Sequence, residues 1–144
     1  MATYFPEGIE IKILGKDVCV LEDDFYFDVI VKGKKHTILI KKGFSFDGAS
    51  IPRFFWRTIG HPLQYPIVIC ALPHDGIYAA ELFERGECDW IFLTLLQKVK
   101  VNWFKRNIIW LAVRGGGYFV FKKHTKESIT EAKKYVSIVE PTDI

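Results

Sequence analysis

Two adjacent residues, His74 and Asp75, are the most chemically pointed feature of the sequence, and Tyr78 follows the histidine by four positions. On a helix, His74 and Tyr78 would share one face, because side chains four residues apart lie one above the other. A neutral imidazole suits general-base catalysis, since its unperturbed pKa is about 6.5. The same dipeptide also suits the start of a helix, where an aspartate complements the helix dipole. Taken alone, the pair favours this structural interpretation.

Three acidic residues, Glu84, Glu87 and Asp89, follow downstream beside Cys88. The ordinary interpretation places these acids in a connecting loop and at the N-terminus of the next helix, where anions are stabilised. A sharper interpretation places Asp89 behind the ring of His74. There its carboxylate would accept the ring N–H and fix the tautomer, as happens where a histidine acts as a base.

The short separation of His74 and Asp89 sets a condition on this pairing. If the first helix ran to Glu81, the position facing His74 in an antiparallel hairpin would lie up to about 10 Å beyond Asp89, at 1.5 Å per residue. The two side chains can therefore meet only if that helix ends soon after Tyr78, or if the helices cross steeply. Pro73 adds a second condition, because proline lacks a helix N–H: the helix either kinks there or begins there.

A segment from Phe46 to Pro52 supplies another group of polar residues. Turn chemistry alone explains its Asp, Gly, Ser and Pro, with Ser50 capping a short helix. The functional interpretation makes Asp47 a carboxylate held at the edge of a cleft. A zinc site would need three or four well-placed ligands. His61, His74, Cys88 and Asp89 could supply these ligands only if the fold happened to bring them together.

The elements that must position these residues begin with a β-rich region over residues 1–47. Ile9–Leu14 and His36–Lys41 alternate apolar and polar residues, as half-buried strands do. Phe25–Val31 is rich in aromatic and β-branched residues, and Val18–Leu21 is a further strand candidate. We predict an antiparallel meander of three or four strands.

Residues 51–114 change to a helical period. The spacing predicts a short helix after Pro52 and three longer ones, over Tyr65–Glu81, Glu87–Val99 and Asn102–Val113. The apolar residues of the last two helices fall at core spacing, so we expect them to be buried. They are Trp90, Phe92, Leu93, Leu95 and Leu96 on the third helix and Trp103, Ile108, Ile109, Leu111 and Ala112 on the fourth.

The C-terminal part is predicted to start at a break. Gly115–Gly117 should end the fourth helix, and three glycines could also let the backbone approach a partner closely. Tyr118–Lys122 resembles a short strand, and Thr125 could cap a last amphipathic helix. The sequence therefore predicts a single α+β domain over residues 1–144: a small antiparallel β-meander, a bundle of three to four helices over 51–114, and a short strand and helix over 118–140.

Composition excludes several classes of protein. A chain of 144 residues with 49% hydrophobic and 15% aromatic residues can bury a core of its own and is too apolar for disorder. The net charge of +3 gives no strong signal for nucleic-acid binding. Apolar runs such as Ile67–Leu72 are too short to cross a bilayer, and the N-terminus lacks the pattern of a signal peptide. Three cysteines without metal spacing favour reduced thiols in a cytoplasm.

Several motifs occur in a recognisable order between roughly residues 40 and 118, namely GFSFDGASIPRFFW, GHP, YPIVICALPHDGIY, CDWIFLTLL and WLAVRGGG. This order resembles a phage and prophage family known as domain of unknown function 1353. The positions that match the family pattern are Asp47, Ser50, Pro52, Gly60, Pro62, His74, Asp75, Tyr78, Asp89 and Gly115 to Gly117. The resemblance implies a phage or prophage origin but no particular activity.

A helix with His-Asp-x-x-Tyr and a downstream Asp is also similar to the catalytic helices of phospholipase A2-type enzymes. In those enzymes the His activates a water, the adjoining Asp binds calcium and the later Asp orients the His. The similarity implies these roles for His74, Asp75 and Asp89 respectively. Carboxylates favour a hard cation, so Ca²⁺ or Mg²⁺ is the cofactor that Asp75 would hold.

Three functions follow as hypotheses. The first is a small hydrolase of an ester or amide, with His74 as base, Asp89 as its orienting residue and Asp47 as a further catalytic residue. In this hydrolase, the residues expected to contact the substrate are Ser50, Tyr78 and Arg114. The second is a non-catalytic phage virion, tail or assembly component, in which a buried His–Asp network fixes the fold. The third is a small effector that binds and inhibits a host factor.

These hypotheses share one setting. The expected partners are other phage or host proteins, and the expected location is the host cytoplasm or the virion. A decisive observation would be geometric: His74 and Asp89 should meet and open onto a cleft with Asp47 in a hydrolase, and should be sealed from solvent in a structural network.

Overall fold

The computed structural model describes residues 4–15, 18–48 and 51–139 and has the mixed α+β architecture that was expected. Its strands are β1 (Ile11–Leu14), β2 (Val18–Leu21), β3 (Phe25–Val31), β4 (Lys34–Ile40), β5 (Ser45–Phe46) and β6 (Val136–Val139). A 3-10 turn at Arg53–Phe55 leads into the helices, which are α1 (Trp56–Ile59), α2 (Ile67–Ala79), α3 (Arg85–Lys98), α4 (Trp103–Lys122) and α5 (Lys126–Lys133).

The strands form two antiparallel sheets of three strands each, in the orders β1-β2-β5 and β3-β4-β6. Strand β3 alternates as a half-buried strand should, with Phe25, Phe27, Val29 and Val31 buried. Strand β4 pairs with β3 on one side and with β6 on the other, where Thr37 lies opposite Val139. The C-terminal strand therefore completes a sheet that the first third of the chain begins.

Helix α2 is the most deeply buried helix, because nearly every residue from Ile67 to Tyr78 is inaccessible to solvent. Its sequence is accordingly apolar on all sides rather than amphipathic. Pro73 lies inside the helix, so α2 neither begins at this proline nor stops at it. Helix α3 packs against both α2 and α4, which places a residue of α3 within reach of both neighbours.

The condition for the meeting of His74 and Asp89 is fulfilled by the end of α2. The helix stops at Ala79, one residue after Tyr78, and α3 begins at Arg85. Helix α2 thus ends at Ala79, two residues before the predicted Glu81, and α3 begins at Arg85, two residues before the predicted Glu87.

The prediction that the triple glycine ends the fourth helix is wrong, and so is the strand predicted at Tyr118–Lys122. Helix α4 continues through Gly115–Gly117 to Lys122. The C-terminal strand is β6 instead, and it follows α5. Close packing explains the continuation, because Pro52 and Tyr78 lie against the backbone of two of these glycines, and tertiary contacts override a weak helix propensity. Thr125 does cap α5, since its Oγ1 accepts the N–H of Ser128 at 3.1 Å.

The predicted burial of three residues is also wrong: Trp90, Trp103 and Leu111 are 61%, 67% and 61% exposed. The buried side of α4 is made of smaller residues, namely Ile109, Ala112, Val113 and Gly117. Five large apolar side chains of α4 therefore point away from the core, namely Trp103, Phe104, Leu111, Tyr118 and Phe119, whereas Phe121 packs against Tyr78. The predicted helix cap at Ser50 lies outside the described residues.

Two further findings concern the cysteines and the length and apolarity of the helices. Cys19, Cys70 and Cys88 are buried and free of disulfides. In the described ranges, no helix has both the length and the apolarity needed to cross a membrane.

Candidate functional site

The carboxylate of Asp89 is the centre of a polar cluster inside the helical part of the fold. Asp89 lies in the second turn of α3 and has no exposed surface. Its Oδ1 lies 2.9 Å from Nε2 of His74 and accepts the hydroxyl proton of Tyr78 at 2.5 Å. Both partners come from α2, where their spacing of four residues places them on one face. The cluster therefore joins α2 to α3 through a single oxygen atom.

Two guanidinium groups approach the other oxygen of Asp89. Nη1 of Arg114 donates to Oδ2 at 2.9 Å, and Nη1 of Arg85 lies 3.4 Å from the same atom. Arg85 also donates to the carbonyl oxygens of Val113 and Arg114 at 3.3 and 3.0 Å. A buried carboxylate is costly unless it is paired and hydrogen-bonded. These cations, together with His74 and Tyr78, meet that requirement and tie α3 to the middle of α4.

The ring of His74 contacts two aromatic rings, and one of its nitrogens is hydrogen-bonded. It stacks on Phe92 with ring centroids 4.5 Å apart and lies 4.2 Å from the ring of Tyr78. Because a carboxylate can only accept, Nε2 carries the proton that it donates to Asp89. The other nitrogen, Nδ1, has no hydrogen-bond partner among the described residues. The imidazole is thus fixed in one tautomer with a free lone pair on Nδ1.

Burial also sets the protonation of the cluster. Desolvation lowers the pKa of His74 below its ordinary value, and Asp89 opposes this shift only in part. Burial first, and then the hydrogen bond to Asp89, raises the pKa of Tyr78 well above its ordinary value. At neutral pH the imidazole is therefore uncharged and the phenol keeps its proton.

Glycines of α4 make room for the cluster. A Cβ atom at Gly117 would lie 2.6 Å from the hydroxyl oxygen of Tyr78, and one at Gly116 would overlap Pro52. A Cβ at Gly115 would meet nothing. The close backbone approach that three glycines allow is thus used inside the protein, by Tyr78 and Pro52.

A shallow surface pocket of about 160 Å³ lies next to this cluster. Its lining includes Asp47, Asp75 and Tyr78, but neither His74 nor Asp89. Tyr78 therefore separates the pocket from the buried pair and touches both.

The backbone N–H of Gly48 donates to Oδ2 of Asp75 at 3.0 Å, which anchors the Asp47–Gly48 turn on α2. Gly48 has a φ of 71°, a conformation that favours glycine. The turn thus holds Asp47 at the pocket edge, where it is exposed to solvent.

The described residues do not gather a metal site. Among them, no three side chains of His, Cys, Asp or Glu lie close enough together to hold an ion. Ca²⁺ takes six to eight oxygen ligands, so Asp75 and Asp47 would supply only part of its coordination. The coincidental zinc set also stays apart: Nδ1 of His61 accepts the N–H of Leu63 at 3.1 Å, while His74 and Asp89 bond to each other.

The structure brings together His74, Tyr78, Asp89 and Arg114, which the sequence had singled out for different roles. Tyr78 and Arg114 contact Asp89. Asp47 and Asp75 lie at the neighbouring pocket, and Ser50 is outside the described residues.

Two members of the cluster were not anticipated, Arg85 and Phe92. Arg85 precedes Asp89 by four residues on α3, so helix spacing alone could have suggested this ion pair. No local signal singles out Phe92, because its contact with His74 depends on how α2 and α3 pack. Nucleophilic cysteine chemistry is not available, since burial raises the pKa of the Cys70 and Cys88 thiols.

Comparison with known families gives one match. The family described as protein of unknown function (DUF1353) matches residues 21–113. This span contains His74, Tyr78, Arg85 and Asp89 and ends one residue before Arg114. It confirms the family resemblance inferred from the order of motifs. Comparisons with curated proteins and with solved structures find no match.

Proposed function

This chain belongs to the DUF1353 family, and we propose that it is a hydrolase of ester or amide bonds with His74 as its general base. The observation that carries the proposal is the state of the imidazole. Asp89 holds the proton on Nε2, and Nδ1 keeps a lone pair without a protein partner. A general base needs such an oriented and unprotonated nitrogen.

The reaction follows from these positions. A water hydrogen-bonded to Nδ1 of His74 attacks the carbonyl carbon of the substrate while Nδ1 takes its proton. The tetrahedral intermediate collapses when the imidazolium returns that proton to the leaving oxygen or nitrogen. Asp89 stabilises the imidazolium, and its own carboxylate is fixed by Tyr78 and Arg114.

Turnover requires the site to open. His74 and Asp89 have no exposed surface, and a water and substrate must reach Nδ1. Tyr78, itself only 1% exposed, is the side chain that would have to move, because it contacts Asp89 and also lines the pocket that carries Asp47 and Asp75. Opening and closing of a buried active site during turnover is common in enzymes.

A second candidate is a non-catalytic phage virion, tail or assembly component. The same complete burial of His74 and Asp89 favours it. In this function the cluster holds α2, α3 and α4 in register, and a satisfied buried network can specify a fold without any substrate.

Hydrolysis of p-nitrophenyl esters and of p-nitroanilide amides tests the first candidate. We expect the wild-type chain to hydrolyse members of one series and His74→Gln to lose activity by about 100-fold or more. The matched control is His36→Gln, in a half-buried histidine of β4, which should keep wild-type activity. Because the pKa of His74 is lowered, wild-type activity should persist below pH 6.5.

The thermal midpoint separates the two candidates. A wild-type chain without activity in both series, or a His74→Gln variant that keeps full activity, would overturn the hydrolase. A lower unfolding temperature in His74→Gln, together with no hydrolysis by the wild-type chain, supports the structural network.

A further inference from the structure

The solvent side of helix α4 carries several large, exposed apolar side chains. Phe104, Leu111 and Tyr118 are spaced by seven residues, which places them on one side of a helix. Trp103 and Phe119 flank this row, and all five side chains are at least half exposed. We call these five residues the outer face of α4. From Phe104 to Tyr118 it is about 21 Å long, at 1.5 Å per residue.

This arrangement inverts the usual surface helix, which turns its large apolar residues toward the core. Here the core side of α4 includes Ala112 and Gly117 and, near its end, Phe121, which packs against Tyr78, while the solvent side has the five residues of the outer face. Single exposed apolar residues are normal, but several large ones on one side of a helix mark an interaction surface.

The charges that helix α4 itself carries have one sign. Helix α4 contains four basic residues and no acidic residue. Two of them are engaged elsewhere, since Arg114 pairs with Asp89 and Arg106 donates to the carbonyl of Val101 at 3.3 Å. Lys105 and Lys122 are exposed at opposite ends of the row. The surface is therefore apolar along its length and cationic at both ends.

A pocket at the beginning of α4 also combines basic and aromatic side chains. It encloses about 350 Å³ and is lined by Lys100 and Lys105, among others. Tyr65 stands at the same pocket and is mostly exposed. Two lysines and an exposed aromatic residue are the side chains expected around an anionic lipid headgroup.

We propose that the outer face of α4 docks on an anionic lipid bilayer, with the helix lying parallel to the membrane surface. Helices that lie in the interface insert aromatic and leucine side chains among the acyl chains, while lysines contact anionic headgroups. Helix α4 has both components, since the outer face lies between the exposed Lys105 near one end of the helix and Lys122 at the other.

Charge argues against the other occupants. Two copies of this chain that met through α4 would bring their lysines together, which like charges disfavour. A nucleic acid would need cations along the row, but its middle is Leu111 and the nearby guanidinium of Arg114 is paired with Asp89. A lipid surface matches the apolar centre and the basic ends together.

The test is sedimentation of the full chain with vesicles. We expect binding to phosphatidylcholine vesicles that contain phosphatidylglycerol, and much weaker binding to pure phosphatidylcholine. The double substitution Phe104→Ser with Leu111→Ser should weaken binding at least tenfold, and Lys105→Glu or Lys122→Glu by roughly fivefold each. Ile13→Ser, at an exposed position of β1, is the matched control and should bind as the wild type does.

A second measurement uses Trp103. Its fluorescence should shift to shorter wavelength on binding, and Trp103→Phe should remove that shift while circular dichroism stays unchanged. No binding to the anionic vesicles, or equal binding by the double variant, would overturn the proposal. So would a dimer in sedimentation equilibrium, or a DNA complex, that the same double substitution abolishes. Vesicle binding is measured without any substrate, so its outcome is independent of hydrolysis.

Discussion

At the scale of single residues, the carboxylate of Asp89 connects the helices around it. One of its oxygens is hydrogen-bonded to His74 and Tyr78 of α2, and the other is paired with Arg85 and Arg114. Removing a single partner from such a carboxylate leaves charge or donors buried without compensation, which costs more than the pair itself contributes. Substitutions at these positions therefore affect the fold as well as any chemistry, and readouts beyond activity are needed.

The protonation of His74 makes stability depend on pH. In the unfolded chain a histidine takes up a proton near pH 6.5, whereas burial lowers the pKa of His74 in the folded chain. Below pH 6.5 the unfolded state therefore binds more protons, and the free energy of unfolding falls as the pH falls. For one proton the slope is at most about 1.4 kcal/mol per pH unit.

Urea denaturation between pH 7.5 and 5 measures this slope. Compared with the wild type, His74→Gln should show a flatter dependence, because the other histidines are common to both chains. Parallel curves for the two proteins would contradict a neutral, buried His74.

The meeting of His74 and Asp89 could be anticipated from sequence, because the two lie on consecutive helices and their spacing limits how the hairpin can close. The partners of Tyr78, Arg85 and Arg114 could not. A long cationic side chain can turn inward or outward from the same helical position, and only the packing of α4 on α3 decides which. For this reason Arg114 was expected to contact the substrate, and in the structure it contacts a carboxylate of its own chain.

At the scale of elements, α4 shows where local propensity and packing disagree. Three consecutive glycines favour the end of a helix, and the large apolar residues of the segment favour burial. The structure reverses both expectations. The glycines let Tyr78 and Pro52 lie against the helix, and four of the aromatic residues, together with Leu111, turn outward. Neither outcome is visible without the neighbouring elements.

Alanine substitutions in the triple glycine separate these two effects. Gly117→Ala places a Cβ 2.6 Å from the hydroxyl oxygen of Tyr78, so we expect it to lower the free energy of unfolding by ~1–3 kcal/mol. Gly115→Ala meets no neighbouring atom and should raise it by ~0.5–1 kcal/mol through helix propensity. Chemical denaturation of the two variants measures the difference. Equal effects of the two substitutions would mean that Tyr78 does not pack against α4.

At the scale of the whole molecule, the class of fold and most helix positions follow from periodicity, because long apolar patterns are strong signals. Strand β6 was missed since four residues at the end of a polar segment carry little pattern. Its partner, β4, alternated clearly enough to be found, but a sequence does not say which distant strand will pair with it.

The importance of β6 can be measured at two of its positions. Val136 is fully buried beside Ile40, whereas Ile138 is partly exposed. Val136→Ala should lower the free energy of unfolding by ~1–3 kcal/mol, and Ile138→Ala should change it by less than ~0.5 kcal/mol. Thermal or urea unfolding distinguishes the two. Similar losses at both positions would place β6 in a different register against β4.

The pairing of β4 with β6 also has a kinetic consequence. About 100 residues of chain, including every helix, lie between Thr37 and its partner Val139, and such non-local pairing slows folding because a long loop must close first. The helices that carry the polar cluster lie within that loop. We therefore expect them to collapse together early, and the sheet to close around them as the late step of folding.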